Sequence, residues 1–205
     1  MNPPYRIVKT IDLLDEKIEV MPDRAIFNEG ASVTDIIDLE VDLGILLPLS
    51  YKIFLNNYDG GFLCGKYQAK MIKEDGDFEG AEWNSVHLFG LEEIRSVYED
   101  KSLMNWKLFG KKYDVYPFIP FCRTSTGELL IFANPLDKDM ECPVFDACHE
   151  EFPSDWGILF DNFTGLFEAY VYSNGYIPTI SYKKPTVEEF IRQVLNDKSK
   201  LMGEK

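Results

Sequence analysis

The sequence predicts an α+β fold, a largely antiparallel sheet with helices packed against it and an extra helix near the C-terminus. Three observations predict it. Apolar residues recur at helical spacing in well-separated stretches, as in Tyr51, Phe54, Leu55 and Tyr58 or Phe163, Leu166, Phe167, Tyr170 and Val171. The apolar runs between these stretches are short and hairpin-like, without the strand–helix–strand alternation of a parallel sheet. The 205 residues are 45% hydrophobic and 14% aromatic, which suffices for a sizeable core and excludes a disordered chain.

The elements follow in order. Residues 5–30 form a mixed lead-in, where Ile11, Leu13, Leu14 and Ile18 alternate with Asp12, Asp15, Glu16 and Glu19. A short helix and a strand fit this stretch equally. Ser32 and Asp35 make a capping box that starts a helix through Val33, Ile36, Ile37, Glu40 and Val41. Gly44 stops it, because glycine takes the left-handed conformation of a helix end. Pro48 opens the next helix, in whose first turn its missing N–H has no partner to lose. Tyr51, Phe54, Leu55 and Tyr58 form its apolar face. Asp59-Gly60-Gly61 is expected to end it and turn the chain into a strand.

The block from Glu40 to Gly61 carries a family likeness. Glu40, Leu43-Gly44, Leu47-Pro48, Ser50-Tyr51-Lys52, Phe54-Leu55 and Gly60-Gly61 resemble the signature of the SMI1/KNR4 family, within the SUKH superfamily. Asp59 stands where many members have asparagine. Both residues tolerate the left-handed conformation, so the turn is expected to survive. A weaker agreement in the order of elements extends to about Tyr172.

Beyond the block, Phe62 to Ile72 reads as strand and Val86 to Phe89 as a second. Leu91, Ile94, Val97 and Tyr98 mark a helix face. Tyr113 to Arg123 and Glu128 to Ala133 read as a hairpin about the turn Thr124-Ser125-Thr126-Gly127. Cys142 to Cys148 is a further strand. Ile158 to Phe160 is an apolar run before Asp161, which is expected to cap the helix of Phe163 to Val171. Ser173-Asn174-Gly175 ends that helix. After a proline-containing link, Thr186 and Glu189 form a second capping box for a helix of Val187, Phe190, Ile191, Val194 and Leu195. The expected organisation is a lead-in over 1–30, a family-like domain over 31–173, and a C-terminal helical extension over 174–205 packed on the same domain.

Charge is the strongest compositional signal. Thirty-five Asp and Glu against 21 Lys and Arg give −14. Such a surface repels phosphates, which argues against direct nucleic-acid binding, and it attracts a basic protein. No apolar run is long enough to span a bilayer. The first residues lack the regions of a signal peptide, so a cytoplasmic protein is expected, with Cys64, Cys122, Cys142 and Cys148 reduced.

The chemistry candidates are sparse. Cys142, Cys148 and His149, with Cys122 or His87, offer soft ligands, but no pair has the close spacing of a zinc site. On a strand, Cys142 and Cys148 stand about 20 Å apart. Cys148 and His149 are neighbours and face opposite ways on a strand. No hydrolase, metalloprotease, P-loop or dinucleotide motif is present. Gly60-Gly61 and Gly65 read as turn and bulge, not as a phosphate cradle. No metal, cofactor or catalytic set is expected. The run Glu74, Asp75, Asp77, Glu79 and Glu82 beside Trp83 reads as a solvated loop or as a patch for a basic partner with one aromatic anchor.

The resemblance supplies an expected function. Many bacterial members resemble immunity proteins that bind and neutralise toxins, which implies a basic toxin domain, such as a nuclease, as partner. Fungal members are linked to cell-wall assembly as interaction proteins. Both uses are binding, not catalysis. In this reading Asp75, Asp77, Glu79, Glu82 and Trp83 contact the partner, and Glu40, Gly44, Leu47, Pro48, Tyr51, Phe54, Leu55, Asp59, Gly60 and Gly61 are architectural. A third reading is a small-ligand binder or enzyme with a pocket beside Gly60-Gly61.

Overall fold

The computed structural model describes residues 3–63, 85–100, 118–134, 136–148, 151–177 and 183–201. Among them, strands run over Ala25–Glu29 (β1), Tyr58–Leu63 (β2), Val86–Leu88 (β3), Phe118–Thr124 (β4), Leu129–Ala133 (β5), Val144–Ala147 (β6), Gly157–Phe160 (β7) and Lys183–Thr186 (β8). Helices run over Pro3–Val20 (α1), Val33–Leu43 (α2), Leu49–Asn57 (α3), Leu91–Glu99 (α4), Phe163–Tyr172 (α5) and Val187–Leu201 (α6). The strands form one antiparallel sheet in which spatial order equals chain order. The fold is α+β, as the sequence predicts.

Local signals explain most element ends. The Ser32 box is complete: Asp35 N donates to Ser32 Oγ at 3.1 Å and Ser32 N to Asp35 Oδ2 at 3.3 Å. Gly44 ends α2 at φ 65°, ψ 34°. Thr186 and Glu189 close the second box, with Thr186 N donating to Glu189 Oε2 at 2.8 Å. The β4–β5 turn closes with Gly127 N donating to the Thr124 carbonyl at 3.0 Å. Pro48 is the residue just before α3, extended at ψ 142°, rather than part of its first turn.

Several expectations are corrected. Asp59-Gly60-Gly61 is no turn between helix and strand, because α3 ends at Asn57 and β2 begins at Tyr58. Both glycines lie inside β2 at φ 78° and 138°. A Cβ on Gly60 would stand 2.3 Å from Gly90 N, and one on Gly61 2.3 Å from the Ile26 carbonyl. The pair is therefore required by close backbone approach as well as by conformation. Asn162, not Asp161, caps α5, accepting from Gly165 N at 2.9 Å. The strand expected over Cys142 to Cys148 is shorter, Val144–Ala147. The lead-in is a long helix followed by strand β1, which pairs with β2. The proline-containing link ends in strand β8, which pairs with β7.

The core gathers around α3. Tyr51, Phe54 and Leu55 are fully buried. The Tyr51 ring lies 4.9–5.8 Å, centroid to centroid, from Phe54, Phe121, Phe132 and Phe163. Its hydroxyl donates to the Phe89 carbonyl at 2.6 Å, so no polar group is stranded. Helix α1 packs on α3 and α5 through Ile7, Ile11 and Leu14. Tyr58 donates to the Asp15 carboxylate, tying α1 to β2, and burial with that bond raises the phenol's pKa. Leu63 N donates to the Tyr170 hydroxyl, tying β2 to α5.

Replacing Phe54 by alanine is expected to cost about 3–5 kcal/mol, because the ring leaves a cavity among packed aromatics. Val41→Ala, at a position 73% exposed, is expected to change stability by less than about 0.5 kcal/mol. Chemical denaturation of both variants checks this; equal midpoints would contradict the assignment of α3 as the core helix.

Candidate functional site

Several motif residues make contacts that hold the fold. Glu40 is 9% exposed, and its carboxylate accepts from Leu47 N at 2.7 Å and from Lys52 Nζ at 3.1 Å. It therefore holds the α2–α3 connection from inside. Glu141 does the same for the start of α3, accepting from Ser50 N at 2.8 Å and Ser50 Oγ at 2.7 Å. Burial raises the Glu141 pKa while the Ser50 bonds lower it. Asp59, expected in a turn, instead accepts from Leu91 N at 2.7 Å and caps α4. Desolvation pushes its pKa up, the Leu91 bond opposes this, and nearby Glu92 and Asp35 add to the rise.

Among the described residues, Cys122, Cys142 and His87 are each held in separate surroundings. Cys122 is fully buried, and burial drives its thiol pKa up, the reverse of an activated nucleophile. Cys142 is likewise buried, with Sγ accepting from Ala133 N at 3.0 Å and donating to the Pro143 carbonyl at 3.0 Å. His87 packs edge-on to Phe62 and Phe89, with Nε2 3.3 Å from a Glu93 carboxylate oxygen. Burial lowers its pKa. Among the described residues no three His, Cys, Asp or Glu side chains converge as a metal site. Cys64 and His149 lie outside the described residues, as do Asp75, Asp77, Glu79, Glu82 and Trp83. The space against Gly60 and Gly61 is filled by the backbone of Gly90 and of Ile26 and Phe27.

Among the described residues, two surface concavities stand out. One, of about 600 Å³, lies between α1 and α5, and Arg6 and Glu168 pair across it with Arg6 Nε 2.9 Å from Glu168 Oε1. Its charges are mixed. The other, of about 550 Å³, forms where the starts of α2 and α4 meet the end of β1. Glu29, Asp35, Asp38, Asp59 and Glu92 line it, against Arg95 alone. Arg95 is engaged with Asp42 at 2.9 Å. This groove is a cation-attracting surface.

The groove flanks the outer face of α2, which the sequence does not single out. Val33, Ile37 and Val41 are 61%, 50% and 73% exposed. The same helix buries Ile36 and Leu39 on its inner face. β-Branched residues at exposed helix positions favour the helix less than alanine or glutamate do, by up to about 0.5 kcal/mol each. The helix therefore carries them at some cost to its own stability. The signal available in the sequence was that α2 is apolar over more than one face, which a helix packed on one side does not need.

Because Asp59 has a raised pKa in the folded state, its ionised form opposes folding at neutral pH, and the opposition fades as pH falls through that pKa. Asp59→Asn keeps a capping oxygen but removes the titration. The stability of the unsubstituted protein is expected to rise relative to Asp59→Asn as pH falls from 7 towards 4. Parallel melts of the two across that range test the sign; a relative fall would show that Asp59 is stabilised as the carboxylate.

The comparison with curated proteins gives no match. The sequence model described as SMI1 / KNR4 family (SUKH-1) matches residues 30–169, from the end of β1 almost to the end of α5. That span includes both carboxylate-pinned connections, the Gly-Gly strand and all of the acidic groove but Glu29, and the chain belongs to the SMI1/KNR4 (SUKH-1) family.

Proposed function

We propose that this chain is a non-catalytic, cytoplasmic immunity protein that binds a basic toxin domain and blocks it. The general character, a protein-interaction module of immunity type, follows from its family. The observation that carries the finer reading is the acid-lined groove of about 550 Å³ beside the exposed apolar face of α2. On a chain of net charge −14, that arrangement favours a cationic protein and disfavours nucleic acid. A nuclease domain, basic because it holds phosphate backbones, is the partner chemistry this surface fits best. Asp75, Asp77, Glu79 and Glu82 are proposed as further contacts for the cationic partner, with Trp83 as an anchor.

The test is co-expression with basic nuclease toxin domains, read as survival of the host and as a complex on size exclusion. Protection with a one-to-one complex is the expected result. Association is expected to slow as salt rises, because screening shortens the reach of surface charge to about 10 Å at 0.1 M. Replacing Asp75, Asp77, Glu79 and Glu82 by their amides is expected to flatten that salt dependence. No protection and no complex would return the chain to the other family use, a scaffold linked to cell-wall assembly.

A further inference from the structure

We infer that the outer face of α2 is the docking stripe for the partner, and that it takes a basic segment presenting apolar side chains between lysines or arginines. The inference rests on the binding role proposed above and adds where and how the contact is made. Val33, Ile37 and Val41 stand at i, i+4 and i+8, so successive side chains advance only about 40° around the axis. Together they make one continuous apolar strip along the helix, exposed at every position. Leu46, 44% exposed, lies on the connection that leaves the C-terminal end of α2. A row of this kind with a charged edge is the composition of an interface, an apolar centre with a polar rim.

The rim chooses the occupant. Asp38 and Asp42 are exposed on the adjoining side of the helix, and beyond them lies the acid-lined groove between α2 and α4. Asp42 already holds Arg95 at 2.9 Å, which shows that this edge accepts a guanidinium. A second copy of the chain fits poorly. A two-fold contact through α2 sets Asp38 and Asp42 against their own copies, on molecules each carrying −14. An anionic membrane surface is repelled by the same rim. A cationic protein segment satisfies the rim and covers the strip.

The probes are two synthetic peptides of equal length and charge, a helical leucine–lysine peptide and its serine–lysine counterpart, titrated by fluorescence anisotropy. The unsubstituted protein is expected to bind the leucine–lysine peptide at least about tenfold more tightly than the serine–lysine peptide. The variant with Val33→Ser, Ile37→Ser and Val41→Ser is expected to lose that margin while keeping its affinity for the serine–lysine peptide. Asp38→Asn with Asp42→Asn is expected to weaken both peptides. If the triple variant melts early, Ile37→Lys alone carries the test and is expected to lose the margin. Equal affinity for the two peptides, an undiminished margin in the variants, or a dimer in sedimentation that the triple variant dissolves would each overturn the assignment. Protection from a toxin is a separate readout. A triple variant that still protects places the contact elsewhere and leaves the immunity reading intact, whereas loss of protection in the unsubstituted protein removes that reading itself.

Discussion

The hydroxyl of Tyr51 sets the position of much else. A phenol buried completely must find an acceptor, and here the acceptor is the carbonyl of Phe89, at the exit of β3. Phe89 N in turn donates to the Phe121 carbonyl at 2.9 Å. One side chain on α3 therefore fixes where the chain leaves β3, and that exit fixes where α4 begins. From the other side, Asp59 caps Leu91, and Gly60 admits the backbone of Gly90. Tyr51 and Asp59, eight positions apart in sequence, hold the corner Phe89–Leu91 between them. The acid-lined groove opens directly on that corner.

The same logic governs the start of α3. Pro48 brings no N–H, and the first donors of the helix need partners that the local sequence does not supply. Leu49 N donates to the Met140 carbonyl at 3.0 Å, and Ser50 N to the Glu141 carboxylate. Both acceptors come from the segment between β5 and β6. Removing water from a carboxylate is costly, and Glu141 offsets this by accepting two bonds from one residue. Glu40 works similarly on the connection, with Lys52 as counter-charge. The family signature is thus largely a set of solutions to backbone donors and close approaches.

That explains what was legible in the sequence. Capping boxes at Ser32 and Thr186 act within four residues, so their spacing is visible and the helices start where expected. The β4–β5 hairpin is local for the same reason. Asp59 looks like turn chemistry in the sequence, a lone Asp before Gly-Gly, because its partner, Leu91, lies far along the chain. Strand β8 is not legible in the sequence because Pro185 cannot donate to a ladder; at the sheet edge only one side needs donors, and the rule relaxes. In α1, Leu14 is buried against the protein while Asp15 bonds Tyr58, so a helix reads locally as alternation. The acidic run around Trp83 lies outside the described residues, whereas the acidic groove is assembled from α2, α4 and the two strand ends. No window of sequence contains it.

This separation bears on how the surface proposed for a partner can vary. Residues that hold the fold, such as Tyr51, Glu40 and the two glycines of β2, face inward or against backbone. Val33, Ile37, Val41 and Asp38 face outward on a helix whose inner side is anchored by Ile36 and Leu39. Substitutions on the outer side leave every buried contact of α2 in place. In the contact proposed for α2, charge on the rim acts at a distance and governs encounter, while the apolar strip acts only on contact and governs how long a complex lasts. The two properties sit on adjacent sides of one helix, so affinity and encounter rate can be altered independently without touching the core.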